Sequence, residues 1–179
     1  MIVYLNGEWL PQENARIPIT DRGFLLADGV FETARLHQGR YFRLAQHFER
    51  LEESARTLEI GLPTRAALEQ LANEIAARNQ LTEGSLRITI TRGSGGTGLR
   101  TQGVSDPTVL VTIAPMREGW ADRAARGWSL ITAKTLRPSP DSVPAQLKAL
   151  GRVYSILAAL EAERAGSDDA LLLTANREI

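Results

Sequence analysis

The sequence predicts an α+β protein. Two amphipathic helical stripes, at 45–60 and 64–79, lie between segments that alternate apolar and polar residues at a period of two. The 179 residues are 43% hydrophobic and 23% charged, the balance of a soluble globular chain and not of a disordered or collagen-like one. Helices grouped between runs of strands point to helices covering one face of a mainly antiparallel sheet.

The chain opens on IVYLNGEW, where Asn6-Gly7 favours the positive backbone dihedrals of a tight hairpin turn, with IVYL as the first strand. VFETARL alternates and is followed by the turn-like His37-Gln38-Gly39-Arg40 and then by YFRL, a second antiparallel pair. Over 45–60, Phe48, Leu51, Ala55 and Leu58 recur at three- and four-residue spacing, and Gly61 before Pro63 ends that helix. Thr64 is placed to cap the next one, which carries Leu68, Leu71, Ile75 and Ala76 on one face. SLRITITRG sets Leu86, Ile88 and Ile90 on one side and Arg87, Thr89 and Thr91 on the other, a half-buried strand. GSGGTG breaks it, and PTVLVTIAP follows as another strand. Around MREGWADRAARG the pattern lapses into a polar connector, the candidate domain boundary. WSLITAKTL reads as a strand and RPSPDSVPAQ, with three prolines in ten residues, as an irregular loop. A helix is expected from about 148 to 165, with Gly166 as its C-cap, and DDALLLT is one more buried strand.

Several function classes drop out on composition. Lys plus Arg equals Asp plus Glu at 21 each, so there is no electrostatic footprint for nucleic acid or an anionic membrane. Without cysteine there are no disulfides, thiolate metal sites or cysteine nucleophiles, and no metal site is expected. The N-terminus lacks the charged start and apolar block of a secretory signal, and no apolar run reaches membrane-spanning length; the expected setting is cytoplasmic.

The basic residues are unusual: only Lys134 and Lys148 are lysines, so amine chemistry has two candidates. Lys134 stands at a strand end among polar neighbours, the setting of a solvated lysine. Lys148 lies where a proline-rich loop meets apolar sequence, between Leu147 and Leu150, where partial desolvation would lower its pKa and favour imine formation. Lysine stems also lie along apolar surface with the charge in water, so spacing leaves both readings standing. In QHFERLEESARTL, His47 and Arg50 share a helix face, an arrangement suited to a phosphate or carboxylate, although Arg50 could equally pair with Glu49 or Glu53. The glycine-rich RGSGGTG could cradle an anion with backbone amides or be a mobile hairpin tip.

Taken in order, DRGFLLADGVFETARL, HFERLEESA, RITITRGSGGTG, QLKALGRVYSILAALEA and DDALLLT resemble the class IV aminotransferase family, the fold type IV group of pyridoxal phosphate enzymes. The resemblance runs through essentially the whole chain. It implies a small α+β domain over 1–115, a linker over 116–124, and from 125 to 179 the start of a larger, β-barrel-like domain, truncated here, with the cofactor between the domains. It implies pyridoxal 5'-phosphate as cofactor, Lys148 as the lysine that holds it covalently and then moves a proton at the substrate Cα, and Arg50 as the ligand of its phosphate. The acidic partner of the pyridine nitrogen is expected at or just past the chain's last residue, and Glu178 falls one or two positions early for that role. A homodimer is also implied.

Within the family, Thr33 in FETAR, the RGSGGTG turn and the spacing of Lys148, Leu150, Arg152 and Leu157 are similar to 4-amino-4-deoxychorismate lyase, which releases pyruvate to leave 4-aminobenzoate for folate synthesis. Thr97 and Gly151 depart from that pattern. The alternatives are a branched-chain or D-amino acid aminotransferase and a non-catalytic binding domain on the same scaffold. Thr33 is the candidate for protonating a leaving group, and Phe31, Arg92 and Arg100 are the candidates for binding an amino acid or aminodeoxychorismate substrate.

Overall fold

A computed structural model describes residues 1–104, 106–116, 119–139, 141 and 147–179. The chain divides into two compact units, Met1–Met116 with Gln146–Leu150, and Arg117–Ala145 with Gly151–Ile179.

The first unit is built on a six-stranded antiparallel sheet. In chain order its strands are β1 (Ile2–Leu5), β2 (Glu8–Pro11), β3 (Gly29–His37), β4 (Arg40–Tyr41), β5 (Gly84–Thr91) and β6 (Val109–Ala114), arranged β2-β1-β6-β5-β3-β4. The first hairpin turns at Asn6 and Gly7 with φ of 48° and 99°, the conformation these two residues tolerate best. Helix α1 (Arg22–Leu26) was not legible in the sequence; the Asp21 side chain caps it by accepting from the Gly23 N–H at 2.7 Å. Helices α2 (Leu44–Thr57) and α3 (Arg65–Arg78) follow the two stripes, and Thr64 caps α3 by accepting from Ala67 N–H at 3.3 Å.

Strand alternation decides which residues the helices cover. Val30, Ala34 and Leu36 of β3, Leu86, Ile88 and Ile90 of β5, and Val111 and Ile113 of β6 join Phe48, Leu51 and Ala55 of α2 and Leu68, Ala72 and Ile75 of α3 in one core. Burial of these side chains is the main favourable contribution to the unit's stability. Tyr41 reaches in from β4 and donates its hydroxyl to the Ala72 carbonyl at 2.6 Å, and burial pushes its pKa up to about 12. The intervening residues, among them Phe31, Thr33, Arg87 and Thr89, occupy the opposite face.

The second unit holds α4 (Trp120–Arg126), β7 (Leu130–Thr132), α5 (Val153–Arg164) and β8 (Asp169–Leu171), with β7 and β8 in parallel register. No closed barrel forms among the described residues. The Asp168 carboxylate ties the ends together: it accepts from the backbone N–H and hydroxyl of Ser129 and from Arg126, which hold its pKa down to about 2. Among the described residues, no helix is long and apolar enough to cross a membrane.

Three local expectations need correction. The polar connector contains α4, set between Gly119 and Gly127 at φ of 72° and 81°, with Trp120 and Trp128 in edge-to-face contact at 5.8 Å; ring packing there outweighs the polar composition. Arg117 and Glu118 of that connector lie outside the described residues, as do Pro140 and residues 142–146 of the proline-rich loop. YFRL yields only the two-residue β4 before Arg43, at φ 52°, turns the chain into α2. The last helix begins at Val153, not near 148, because residues 148–150 are drawn into an extended run along β3.

Candidate active site

Lys148 stands on that extended run. The Phe31 N–H donates to the Lys148 carbonyl and the Leu150 N–H to the Gly29 carbonyl, each at 3.0 Å, and Val30 bridges to Ala149. The Lys148 N–H is turned the other way and donates to Ser54 Oγ of α2 at 3.1 Å. The close approach requires glycine at 29, where a Cβ would lie 2.7 Å from the Leu150 side chain and 2.8 Å from the Ile90 carbonyl oxygen. The half-buried lysine is thereby fixed at both of its peptide groups, and its Nζ sits 5.1 Å from the centre of the Phe31 ring.

Phe31 is 8% exposed and meets a second cation, the Arg87 guanidinium at 4.1 Å. Arg87 faces Thr33 across the β3–β5 pair and donates from Nε to Thr89 Oγ1 at 3.1 Å; burial pulls its pKa below the ordinary arginine value. Next to this face is a cavity of about 270 Å³ whose lining includes Ile17, Ile19, Phe24, Thr89, Thr91 and Leu150. Together they offer a strip of cation–aromatic–cation contacts ending in an apolar recess, a setting that suits an anionic group and an apolar side chain on one small molecule.

On the helix-facing side of the same strand, Glu32 is 2% exposed. Its carboxylate accepts from Arg50 Nε and, at 2.8 Å, from Arg50 Nη2, and it lies 2.9 Å from His47 Nδ1. Burial pushes the carboxyl upward, but the hydrogen bonds from Arg50 and His47 and the charges of Arg50 and Lys148 outweigh it and hold the group below its ordinary value. The same hydrogen bond raises the Arg50 pKa. Arg50 is thus drawn inward to Glu32, and the partners suggested within its own helix, Glu49 and Glu53, are not the ones it takes; Glu53 pairs with Arg56.

The remaining sequence candidates separate. Thr33 is half-buried beside Arg87 on the Phe31 face. Arg92 is 8% exposed and spends its donors on Asp28 and on the carbonyls of Leu58 and Glu59, so it anchors a loop instead of facing a ligand. Arg100 is exposed, and its carbonyl accepts from Arg22 at 3.2 Å. Arg22 also reaches Asp28 and the carbonyl of Gly98. The glycine-rich turn is therefore clasped by a buried arginine, and Gly93 starts it at φ 93°, where a Cβ would lie 1.9 Å from the Asp106 carbonyl oxygen. Lys134 is exposed and Glu178 is exposed, its N–H donating to Thr174 Oγ1.

Two residues of this site were not singled out from the sequence. Glu32 was detectable as a charge at a core-facing position between Val30 and Ala34; Arg87 was detectable as the lone cation on the polar side of β5.

Known proteins resemble this chain along nearly its whole length. A protein of Methanocaldococcus jannaschii provisionally named a branched-chain-amino-acid aminotransferase is 33% identical over 174 residues, covering 97% of this chain and 59% of its own. The D-alanine aminotransferase of Bacillus licheniformis is 29% identical over 180 residues, covering 97% of this chain and 60% of its own. In three dimensions, the T.th. branched-chain amino acid aminotransferase solved with N-(5'-phosphopyridoxyl)-L-glutamate superposes with a TM-score of 0.87 at 29% identity, over 98% of this chain and 59% of that one. The chain thus spans about three fifths of the length of the relatives it matches. The sequence profile of amino-transferase class IV matches residues 29–179, and the chain belongs to that family.

Proposed function

We propose that the protein is a pyridoxal 5'-phosphate-dependent aminotransferase acting on branched-chain amino acids. The observation that carries this reading is the pairing of a backbone-fixed, half-buried lysine amine with a nearby arginine held at Glu32. An aldehyde cofactor with a phosphate tail needs an amine and a cation for that tail, and Lys148 and Arg50 fit both needs. The named relatives support amino-group transfer over the pyruvate elimination to which Thr33 and the glycine-rich turn had pointed. The apolar recess beside Leu150 supports a branched-chain substrate over alanine. A D-amino acid substrate is the second reading, favoured by the Bacillus licheniformis relative.

The cofactor, when bound, supplies an aldehyde and an electron-withdrawing ring that makes the substrate Cα–H more acidic. Lys148 Nζ would hold it covalently and, when freed from that bond, would be the base that takes the proton from the substrate Cα. Arg50 binds phosphate oxygens through the N–H groups that Glu32 leaves uncommitted. Arg87, over the Phe31 ring, binds the substrate carboxylate, and Thr33 lines that face. Arg92 stays outside the substrate set. The homodimer, the cytoplasmic setting and a domain boundary near residue 116 belong to the same proposal.

The test uses the full-length protein. Loaded with pyridoxal 5'-phosphate and reduced with borohydride, it is expected to carry the label on the peptide containing Lys148 and not on that containing Lys134. Isoleucine with 2-oxoglutarate should give glutamate faster than D-alanine does. Pyruvate from aminodeoxychorismate without an amino acceptor would overturn the transferase reading in favour of the lyase, and a protein that takes up no cofactor would overturn both in favour of a binding domain.

A further inference from the structure

The Arg50 guanidinium has two edges that can grip an oxyanion with paired N–H groups: the side edge, Nε with Nη2, and the end edge, Nη1 with Nη2. Glu32 takes the side edge completely, through Nε and Nη2. The end edge points away from it, Nη1 makes no hydrogen bond among the described residues, and the Arg50 side chain is 43% exposed against 2% for Glu32. An arginine on a helix surface ordinarily samples many rotamers, and ordering it on binding costs affinity. Here the ordering is done in advance from beneath, by a carboxylate rooted on β3 between Val30 and Ala34.

His47 completes the support. Its Nδ1, 2.9 Å from the Glu32 oxygen that also receives Arg50 Nη2, keeps the carboxylate from rotating to a one-point contact with the guanidinium. With the Thr33 N–H, which donates to the same oxygen at 3.2 Å, four contacts satisfy a charge that would be prohibitive to bury alone.

We propose that Glu32 is the positioning residue of the anion site: it locks one edge of Arg50 so that the opposite edge is presented, already oriented, to the phosphate of the cofactor. This rests on the reading above, in which Arg50 binds that phosphate, and it adds a role for a residue that touches neither cofactor nor substrate.

The test compares two probes on the full-length protein, pyridoxal 5'-phosphate and pyridoxal, which shares the aldehyde and ring but lacks the phosphate. Binding is followed by visible absorbance, independent of turnover. Glu32→Gln is expected to weaken pyridoxal 5'-phosphate roughly tenfold or more, about 1.4 kcal/mol, while pyridoxal binding changes less than about threefold. Because Glu32 acts through Arg50, adding Glu32→Gln to Arg50→Ala should cost nothing further. Glu32→Asp keeps the charge but withdraws it by one methylene, and it should show the same selective loss to a smaller degree, which keeps the test open if the glutamine variant does not fold. Equal weakening of both probes, additive losses in the double variant, or an unchanged preference for the phosphate form in Glu32→Asp would each overturn the proposal. Wild-type protein that binds the two probes equally would instead overturn the parent reading of Arg50.

Discussion

The two units differ in how they use apolar residues. In the first, the helix stripes and strand faces meet, and Phe48, Leu51, Leu68, Ile75, Leu86, Ile88 and Ile90 are at 0–1% exposure. In the second, the described buried apolar residues are alanines, Ala133, Ala158 and Ala162, while Val153, Ile156 and Leu157 of α5 are 67%, 59% and 47% exposed. Polar ties also run through it, from Asp168 to Ser129 and Arg126, and from Glu161 to the N–H groups of Lys134 and Thr135. A unit closed by apolar burial can hold an inserted lysine strand and a buried carboxylate.

Core truncation is the strongest way to break that contrast. Phe48→Ala in the first unit should cost about 3–5 kcal/mol, whereas Leu157→Ala in the second should stay within about 0.5 kcal/mol. Denaturant melts of the two variants check both, and comparable losses would remove the distinction. Acid should sharpen it. Because Glu32 is held below its ordinary 4.5, the unfolded chain binds its proton more readily, so the stabilisation is complete above pH 4.5 and is lost as pH falls through the folded value. For Asp168 the corresponding loss runs from 3.8 down to about 2. Residue-resolved NMR during acidification should therefore show no response around Glu32 above pH 4.5 and a response only below it, and Glu32→Gln should remove that response while leaving the one around Asp168 in place. The smallest effect is local: Thr64→Ala, which removes the α3 cap, should cost about 1 kcal/mol, read from the thermal midpoint.

Local chemistry made much of the first unit readable. Asn6-Gly7, the β3 and β5 alternation, and the α2 and α3 stripes each carry their structure within a few residues. Misreadings occurred where a distant partner decides. Lys148-Ala149-Leu150 is compatible with a helix until the edge of β3 offers it hydrogen bonds more than a hundred residues away in sequence. Lys148 and Arg50 stood out as residue types, but the link between them did not, because it runs through Glu32, whose significance depends on which side of a strand it faces. Arg92 illustrates the converse: its partners, Asp28 and two carbonyls at the end of α2, come together only once the chain is folded.

The anchoring of Lys148 has a kinematic consequence. With its carbonyl bound to Phe31 and its N–H bound to Ser54, the main chain at this point is a stationary pivot. Whatever travel the amine makes between one bonding partner and the next must come from rotation about the bonds of its own four-carbon arm, swept across the flat of an aromatic ring that neither donates nor accepts a proton.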